Sequence, residues 1–87
     1  MKVFFTSTAA KAYKKLDGKM KEKVKELVED LRKSAFPRRY DVKKIAGADR
    51  TYRIRLGQFR VVYAVYPEKE HVVILKIDKR SRVYRDM

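Results

Sequence analysis

The sequence predicts an α+β fold with the element order β-α-α-β-β-β, in which two N-terminal helices pack on a mostly antiparallel sheet. Residues 51–56 alternate polar and apolar side chains, residues 59–65 are rich in β-forming residues, and the two-residue turn at Gly57 between them indicates a β-hairpin. Residues 19–33 carry apolar side chains at three- and four-residue steps, which is typical of a helix that covers a sheet. A chain of 87 residues is long enough for one small domain, and we expect that domain to span residues 1–87.

The first third of the chain is predicted to form one strand and two helices. Residues 2–6 favour a strand because they contain two adjacent phenylalanines. Ser7 or Thr8 can cap a first helix that runs to about Leu16, where an Asp-Gly pair breaks it. The second helix is expected over residues 19–33, and its apolar stripe consists of Met20, Val24, Leu27, Val28 and Leu31.

The remainder is predicted to contain a loop followed by three strands. Pro37 ends the second helix, because the residue before a proline disfavours the α conformation, and residues 38–50 read as a loop. The hairpin of residues 51–65 follows, and a turn at residues 67–70 leads to a last strand at residues 71–77. Successive residues of this last strand are apolar, so we expect it to lie in the centre of the sheet or under another chain.

The two faces of the hairpin differ in chemistry. Gly57 occupies the first position of a two-residue turn, where a type II′ turn requires positive φ, and this turn length fixes the strand register. One face is apolar, whereas the other carries Arg53, Arg55 and Arg60, with Arg55 directly opposite Arg60. Opposed like charges destabilise a hairpin, and a phosphate that matches the planar guanidinium forks would resolve the conflict. The alternative is a solvated basic face without a ligand.

The net charge of +13 favours a polyanionic partner. Nine of the fourteen lysines lie in residues 1–37, whereas nine of the ten arginines lie in residues 38–87. Lysine on helices is usually a solvated surface residue, whereas arginine on strands and loops is suited to fixed contacts with anions. This division favours the backbone of RNA or DNA. Binding of the lysine-rich helices to a membrane surface is disfavoured, because their apolar stripe is expected to face the sheet.

Several classes of chemistry lack the residues they need. The chain has no cysteine, no apolar run that could span a bilayer and no apolar signal segment, so we expect a cytoplasmic protein. The single histidine, His71, has no neighbours at metal-ligand spacing, and the three glycines do not form a phosphate loop. We therefore expect no metal and no cofactor. If the protein is an enzyme, its chemistry must use arginine, lysine and tyrosine.

The chain resembles the RelE/ParE superfamily of toxins from bacterial and archaeal toxin–antitoxin systems, and its RelE branch in particular. The resemblance lies in the segment YRIRLGQFRVVYAV, which is preceded by VKKIAGADR and followed further on by KRSRVY, and it extends over essentially the whole chain. It implies a ribosome-dependent mRNA endoribonuclease that acts in the A site, cleaves by attack of a ribose 2′-hydroxyl on the adjacent phosphate, and so inhibits translation. It also implies three partners, which are a RelB-like antitoxin, the ribosome and mRNA.

The resemblance assigns roles to individual residues. Arg60 matches an arginine that holds the phosphate, Arg80 matches one near the leaving group, and Tyr84 matches a tyrosine that stacks on or deprotonates the nucleotide. Arg53 and Arg55 match two basic strand residues that are lysines in well-studied members. The expected catalytic set is Arg55, Arg60, Arg80 and Tyr84, and the expected RNA-binding set is Arg53, Arg82, Lys43, Lys44 and Lys79.

The identity of the general base stays open at this point. Arginine is charged at all ordinary pH, so Arg53 and Arg55 are poor bases. Either Tyr84 or a group of the ribosome takes the proton, or the reaction depends on charge stabilisation alone. Two other functions also stay open, which are a ParE-like toxin that binds DNA gyrase without nuclease activity and a plain RNA-binding module. The ParE branch typically lacks the tail arginine and tyrosine that this chain carries.

Overall fold

Two helices cover one face of a five-stranded sheet in the computed structural model, which describes residues 1–79. The elements are β1 (Lys2–Phe5), α1 (Ser7–Lys14), α2 (Gly18–Lys33), β2 (Val42–Lys44), β3 (Thr51–Leu56), β4 (Phe59–Tyr66) and β5 (His71–Lys79). The strand order is β1-β5-β4-β3-β2, with β1 parallel to β5 and the other neighbours antiparallel. This arrangement confirms the predicted α+β class, and β5 lies inside the sheet. No helix in the described part of the chain is long and apolar enough to cross a membrane.

Strand β2 lies in the segment that the sequence predicted as a loop. Val42 pairs opposite Ile54, and Lys43 pairs opposite Arg53, so β2 extends the sheet beyond β3. Three residues are too few to produce a readable alternation of apolar and polar side chains. The strand forms because β3 offers a free edge and Val42 packs against the core.

The N-cap of helix α1 lies one residue before Ser7, the earlier of the two predicted caps Ser7 and Thr8. The N-cap is Thr6, whose side-chain oxygen accepts a hydrogen bond from the backbone N–H of Ala9 (3.1 Å). The same hydroxyl donates to the backbone carbonyl of Leu75 on β5 (2.7 Å). This second bond is a tertiary contact, so local sequence could not distinguish Thr6 from its two hydroxyl-bearing neighbours.

The core lies between the helices and the sheet. The sheet contributes Tyr63, which is fully buried and donates a hydrogen bond from its hydroxyl to the carbonyl of Ala35 (2.8 Å). Burial raises the pKa of this hydroxyl, so it remains a donor throughout the physiological range. The residues of the α2 stripe that are fully buried are Val24, Leu27 and Leu31. The other two, Met20 and Val28, stay partly exposed, so the stripe is wider than the area that the sheet covers.

The hairpin of β3 and β4 has the predicted register. Gly57 has a φ of 62° and Gln58 has no positive φ, as a type II′ turn requires. Arg55 lies opposite Arg60. The core residues of both strands, from Ile54 to Val65, face the helices. The three arginines lie on the opposite side of the sheet together with Val62 and Ala64, and we call this side the arginine face.

Strand β5 contains a bulge at Leu75, which is an extra residue relative to β4. As a result, Ile74 and Ile77 both lie on the helix side of the sheet and are buried although they are three residues apart. Regular alternation along β5 would place Ile77 on the other side, together with Leu75, and the bulge overrides it. The bulge also turns Lys76 and Asp78 onto the arginine face.

Candidate functional site

The arginine face gathers cationic side chains from four adjacent strands. Arg53 lies opposite Lys43 of β2, and Arg55 lies opposite Arg60 of β4. Directly opposed residues in an antiparallel pair have Cβ atoms about 5 Å apart, so these charges are within reach of one small anion. The cations of this face are Lys43, Arg53, Arg55, Arg60 and Lys76.

The three arginines of the hairpin have no carboxylate to neutralise them among residues 1–79. No Asp or Glu oxygen of that range lies within 4.0 Å of Arg53, Arg55 or Arg60. In addition, the Nε of Arg60 is buried and has no hydrogen-bond partner in the same range. An unsatisfied buried donor lowers the stability of the folded state by about 1–3 kcal/mol. A phosphate oxygen that binds at Arg60 would both contact the positive charge and accept the hydrogen bond that Nε lacks.

One carboxylate shares the arginine face. Asp78 lies opposite Arg60 in the sheet register, but its carboxylate contacts the ammonium of Lys76 at 3.3 Å and does not form an ion pair with Arg60. Asp78 therefore orients Lys76 and leaves the charge of Arg60 available. The face retains a strong excess of positive charge.

The predicted RNA-binding lysines do not all lie together. Lys43 is on the arginine face, whereas Lys44 lies opposite Tyr52, and Lys79 lies opposite Phe59, both on the helix side by register. The remaining predicted site residues, Arg80, Arg82 and Tyr84, lie outside the described residues.

Lys76 lies on the arginine face although the sequence does not predict it there. Alternation along β5 assigns Lys76 to the same side as Val72 and Ile74, and only the bulge at Leu75 moves it to the arginine face. No feature of the sequence alone indicates that bulge.

The arrangement is suited to holding a phosphate whose negative charge increases during a reaction. Two guanidinium groups, Arg55 and Arg60, face each other across the hairpin and can both donate to the equatorial oxygens of such a phosphate. Neither can accept a proton at ordinary pH, so the arginine pair supplies charge stabilisation and not general base catalysis. No group of three or more His, Asp and Glu side chains within residues 1–79 could hold a metal ion.

The chain is similar to known proteins in sequence and in fold. The family model "ParE toxin of type II toxin-antitoxin system" matches residues 3–84. The protein RelE1 of Methanocaldococcus jannaschii is 38% identical over 66 residues, which are 75% of this chain and 73% of that protein. A chain in the crystal structure of the archaeal RelE–RelB complex from Pyrococcus horikoshii superposes with a TM-score of 0.84 at 31% identity, covering 93% of this chain and 96% of that one.

A more distant relative has the same fold. A chain in the intact E. coli RelBE toxin–antitoxin complex superposes with a TM-score of 0.76 at 26% identity and covers 90% of this chain and 94% of that one. The family model spans nearly the whole sequence, and these relatives carry RelE names. The chain therefore belongs to the ParE toxin family of type II toxin–antitoxin systems and, within the RelE/ParE superfamily, to its RelE-like branch.

Proposed function

We propose that this RelE-like toxin is an endoribonuclease that cuts mRNA on the ribosome and thereby inhibits translation. The observation that supports this most is the cluster of Arg53, Arg55 and Arg60, which share one face of the sheet and have no neutralising carboxylate among the described residues. Opposed cations cost stability unless an anion binds between them. The backbone of mRNA supplies that anion at every nucleotide.

In the proposed reaction the 2′-hydroxyl of one ribose attacks the adjacent phosphorus and the bond to the next 5′-oxygen breaks. The phosphorane-like transition state carries more negative charge on its equatorial oxygens than the substrate does. Arg60, with its unsatisfied Nε, and Arg55 opposite it would stabilise that added charge. Removal of one such donor typically lowers the rate about 10²–10³-fold.

The remaining roles fall to the end of the chain. We assign Arg80 to the leaving group, Tyr84 to stacking on or deprotonating the nucleotide, and Arg82 to RNA binding, as the family resemblance implies. Strand β5 supports this assignment because it runs along the arginine face up to Asp78 and ends at Lys79, one residue before Arg80. Arg53 and Lys43 would hold the neighbouring phosphates of the mRNA.

A cognate RelB-like antitoxin is the proposed partner outside the ribosome. The related archaeal and E. coli structures are complexes of RelE with RelB. The net charge of +13 predicts that the partner is acidic, because complementary charge speeds association and offsets the self-repulsion of the toxin. A partly disordered partner would pay ordering entropy on binding and could still cover a large part of the surface.

The decisive experiment measures mRNA cleavage by primer extension, with purified protein in the presence and absence of ribosomes. We expect cuts only with ribosomes, and we expect Arg60→Ala to reduce cutting by about 10²–10³-fold. The matched control is Arg32→Ala, which removes the same charge from an exposed ion pair on α2. Equal cleavage by the wild type and Arg60→Ala would refute the role of the arginine face.

Inhibition of DNA gyrase is the second candidate function, because the family model that matches is named for ParE. A supercoiling assay with purified gyrase separates the two functions. Inhibition of supercoiling by a protein that leaves mRNA intact would favour the gyrase inhibitor over the nuclease.

A further inference from the structure

A small pocket lies on the helix side of the sheet, at the edge formed by β2 and beyond the last residue of α2. We call it the edge pocket, and its volume is about 240 Å³. This volume is smaller than that of pockets for drug-sized ligands, and it suits one planar ring system. The lining includes two aromatic and three charged residues, which are Phe36, Tyr52, Lys44, Asp49 and Arg50.

The edge pocket has an exposed aromatic wall. Phe36 is 49% exposed and packs edge-to-face against Tyr52, with ring centroids 4.9 Å apart. The backbone N–H of Phe36 donates to Oγ of Ser34 (3.2 Å), and the carbonyl of the preceding residue, Ala35, accepts the hydrogen bond from Tyr63. The backbone thus holds the Phe36 ring in an exposed position. A planar group can stack on this ring with little loss of conformational freedom.

The charged groups of the edge pocket favour an uncharged ring over a phosphate inside it. Asp49 contributes a carboxylate that repels phosphate and can accept a hydrogen bond from an N–H group of a base. Arg50 is already paired with Glu68 at 2.7 Å. By contrast, no carboxylate oxygen of residues 1–79 lies within 4.0 Å of the Lys44 ammonium, so this charge is available to a phosphate beside the pocket.

Strand β2 separates the edge pocket from the arginine face by only one pair of residues. Lys43 and Arg53 form an opposed pair on the arginine face, and the next pair along the two strands, Lys44 and Tyr52, lies on the helix side. Strand β2 is the outermost strand of the sheet on this side and has three residues. A nucleic-acid strand that leaves the arginine face can therefore pass over this short edge with its backbone close to two lysines.

We propose that the edge pocket binds one unpaired base of the RNA, stacked on Phe36, a few nucleotides away from the phosphate held by the arginine face. The inference rests on the proposed function, because it takes RNA as the ligand. It adds a contact with a base, whereas the hairpin arginines are assigned only to the backbone. Stacking of bases on aromatic side chains is a common way in which proteins hold single-stranded RNA.

Two other occupants fit the edge pocket less well. A second copy of this chain carries the same charge of +13 and would be repelled. An acidic protein segment could pair with Lys44, but it would bring its carboxylates close to that of Asp49. An unpaired base is uncharged and avoids this repulsion, while the phosphate next to it can contact Lys44.

The test measures how tightly the full-length toxin binds a fluorescently labelled single-stranded RNA of mixed sequence, by anisotropy at about 0.15 M salt. The RNA carries 2′-O-methyl groups, so it cannot be cut by attack of a 2′-hydroxyl. Phe36→Leu removes the aromatic ring but keeps an apolar contact with Tyr52, and we expect it to weaken binding by about tenfold. Phe36→Tyr keeps the ring and should bind like the wild type.

The matched control is Phe4→Leu. It makes the same change at the other exposed phenylalanine of residues 1–79, which is 45% exposed and lies on β1 at the opposite edge of the sheet. Phe4→Leu should bind RNA like the wild type. Equal weakening by Phe4→Leu and Phe36→Leu would show that the effect is not specific to the edge pocket, and it would overturn the inference.

A second probe separates stacking from charge. It is an abasic sugar–phosphate oligomer of the same length, which has the charge of the RNA but no bases. Phe36→Leu should bind this oligomer as the wild type does, whereas Lys44→Gln should bind both probes more weakly, by a similar factor of about two to five. The wild type should bind the RNA about tenfold more tightly than the oligomer. Equal affinities would overturn the inference whether or not Phe36→Leu folds.

Thermal unfolding shows whether each variant is folded. Equal RNA affinity of the wild type and folded Phe36→Leu, with mRNA cleavage on the ribosome intact, would overturn this inference alone. Weaker binding of Phe36→Leu to the protein encoded by the neighbouring gene, with unchanged RNA affinity, would assign the pocket to a protein partner and would also overturn it. A wild type that neither cleaves mRNA nor binds the RNA probe would overturn the proposed function and the inference with it.

Discussion

Six of the seven arginines in residues 1–79 divide into two groups with opposite surroundings. Those of the first group each contact a carboxylate, and they are Arg32, Arg39 and Arg50. Those of the second group lie on the hairpin without such a contact in that range, and they are Arg53, Arg55 and Arg60. The arginines of the first group form ion pairs on the surface of the protein. Those of the second group carry charge that no carboxylate of residues 1–79 neutralises. The contrast supports the proposal that the hairpin arginines bind an external anion.

Reversal of one hairpin charge should produce the largest change in mRNA cleavage. It should lower cleavage while it raises the stability of the protein. Arg55→Glu turns the opposed cations into a cross-strand ion pair with Arg60, which should stabilise the hairpin by about 0.2–1 kcal/mol. The same change places negative charge where the phosphate is proposed to bind, so cleavage should fall by about 10²-fold or more. Thermal unfolding and primer extension on one preparation test both parts. A variant that is less stable and still active would break the distinction between the two groups of arginines.

A charge-preserving change at Arg60 should have a smaller effect. Arg60→Lys keeps the positive charge but removes the planar fork and the buried Nε–H that lacks a partner among the described residues. We expect cleavage to fall by about tenfold, less than in Arg60→Ala, because one of the two contributions remains. The equivalent change Arg32→Lys, on α2, should leave cleavage unchanged. Identical rates for Arg60→Lys and the wild type would mean that only charge matters at this position.

Among the residues around the arginines that contact carboxylates, Tyr40 should make the stability of the protein depend on pH in the alkaline range. Tyr40 donates a hydrogen bond to Asp30 (2.8 Å), which also contacts Arg39 at 3.5 Å. Burial, followed by the hydrogen bond to Asp30, raises the pKa of the Tyr40 hydroxyl from 10.0 to about 12. The folded state thus binds this proton more tightly, so the stabilisation is complete below pH 10 and is lost as the pH rises towards 12.

Tyr40→Phe should reduce this alkaline dependence, to which the buried Tyr63 also contributes, and should lower stability at pH 7 by about 1 kcal/mol, a reduced value because the pair is partly exposed. Cleavage of mRNA at pH 7 should not change. Urea denaturation of both proteins at pH 7, 9 and about 11 measures the effect. An unchanged pH dependence in Tyr40→Phe would mean that Tyr40 does not contribute to the alkaline transition and would leave it to Tyr63.

The smallest effect is expected at the exposed pair of Arg50 and Glu68. The Arg50 guanidinium donates to Glu68 at 2.7 Å and lowers the pKa of that carboxyl. A depressed pKa stabilises the folded state above the ordinary pKa, and this contribution is lost as the pH falls through the lower, folded-state value. Glu68→Gln should therefore shift the acid unfolding curve slightly and leave mRNA cleavage intact. A loss of cleavage would place Arg50 with the hairpin arginines.

The hairpin could be predicted from sequence because a two-residue turn leaves no freedom of register. Once Gly57 was assigned to the turn, the positions of Arg55 and Arg60 opposite each other followed. Strand β2 and the cap at Thr6 could not be predicted, because each depends on a partner that is distant in sequence, β3 in one case and Leu75 in the other. Local propensity carries no information about such partners.

The candidate site could likewise be predicted where it lies on the hairpin and not where it depends on β2 and β5. Arg53, Arg55 and Arg60 lie on one face as expected, since they belong to the hairpin. Lys76 was not predicted on the arginine face, and Lys44 was predicted to bind RNA with Lys43 although it lies on the helix side. The side on which these residues lie follows from the pairing of β2 and β5, which the sequence does not give. The catalytic roles of the individual residues remain predictions.

The extra residue in β5 separates the length of the strand from the sides on which its residues lie. Deletion of Leu75 would remove the bulge and leave a regular strand in which Ile74 still pairs with Tyr63 and Lys76 still pairs with Val62. Lys76 would then stay on the arginine face and Ile77 would stay buried. A β5 that kept all of its residues but paired Leu75 with Val62 would instead turn Lys76 to the helix side and Ile77 to the arginine face. One codon can therefore be lost at this point of the gene without reversing the two sides of the sheet, whereas a slip of one residue in the pairing reverses them.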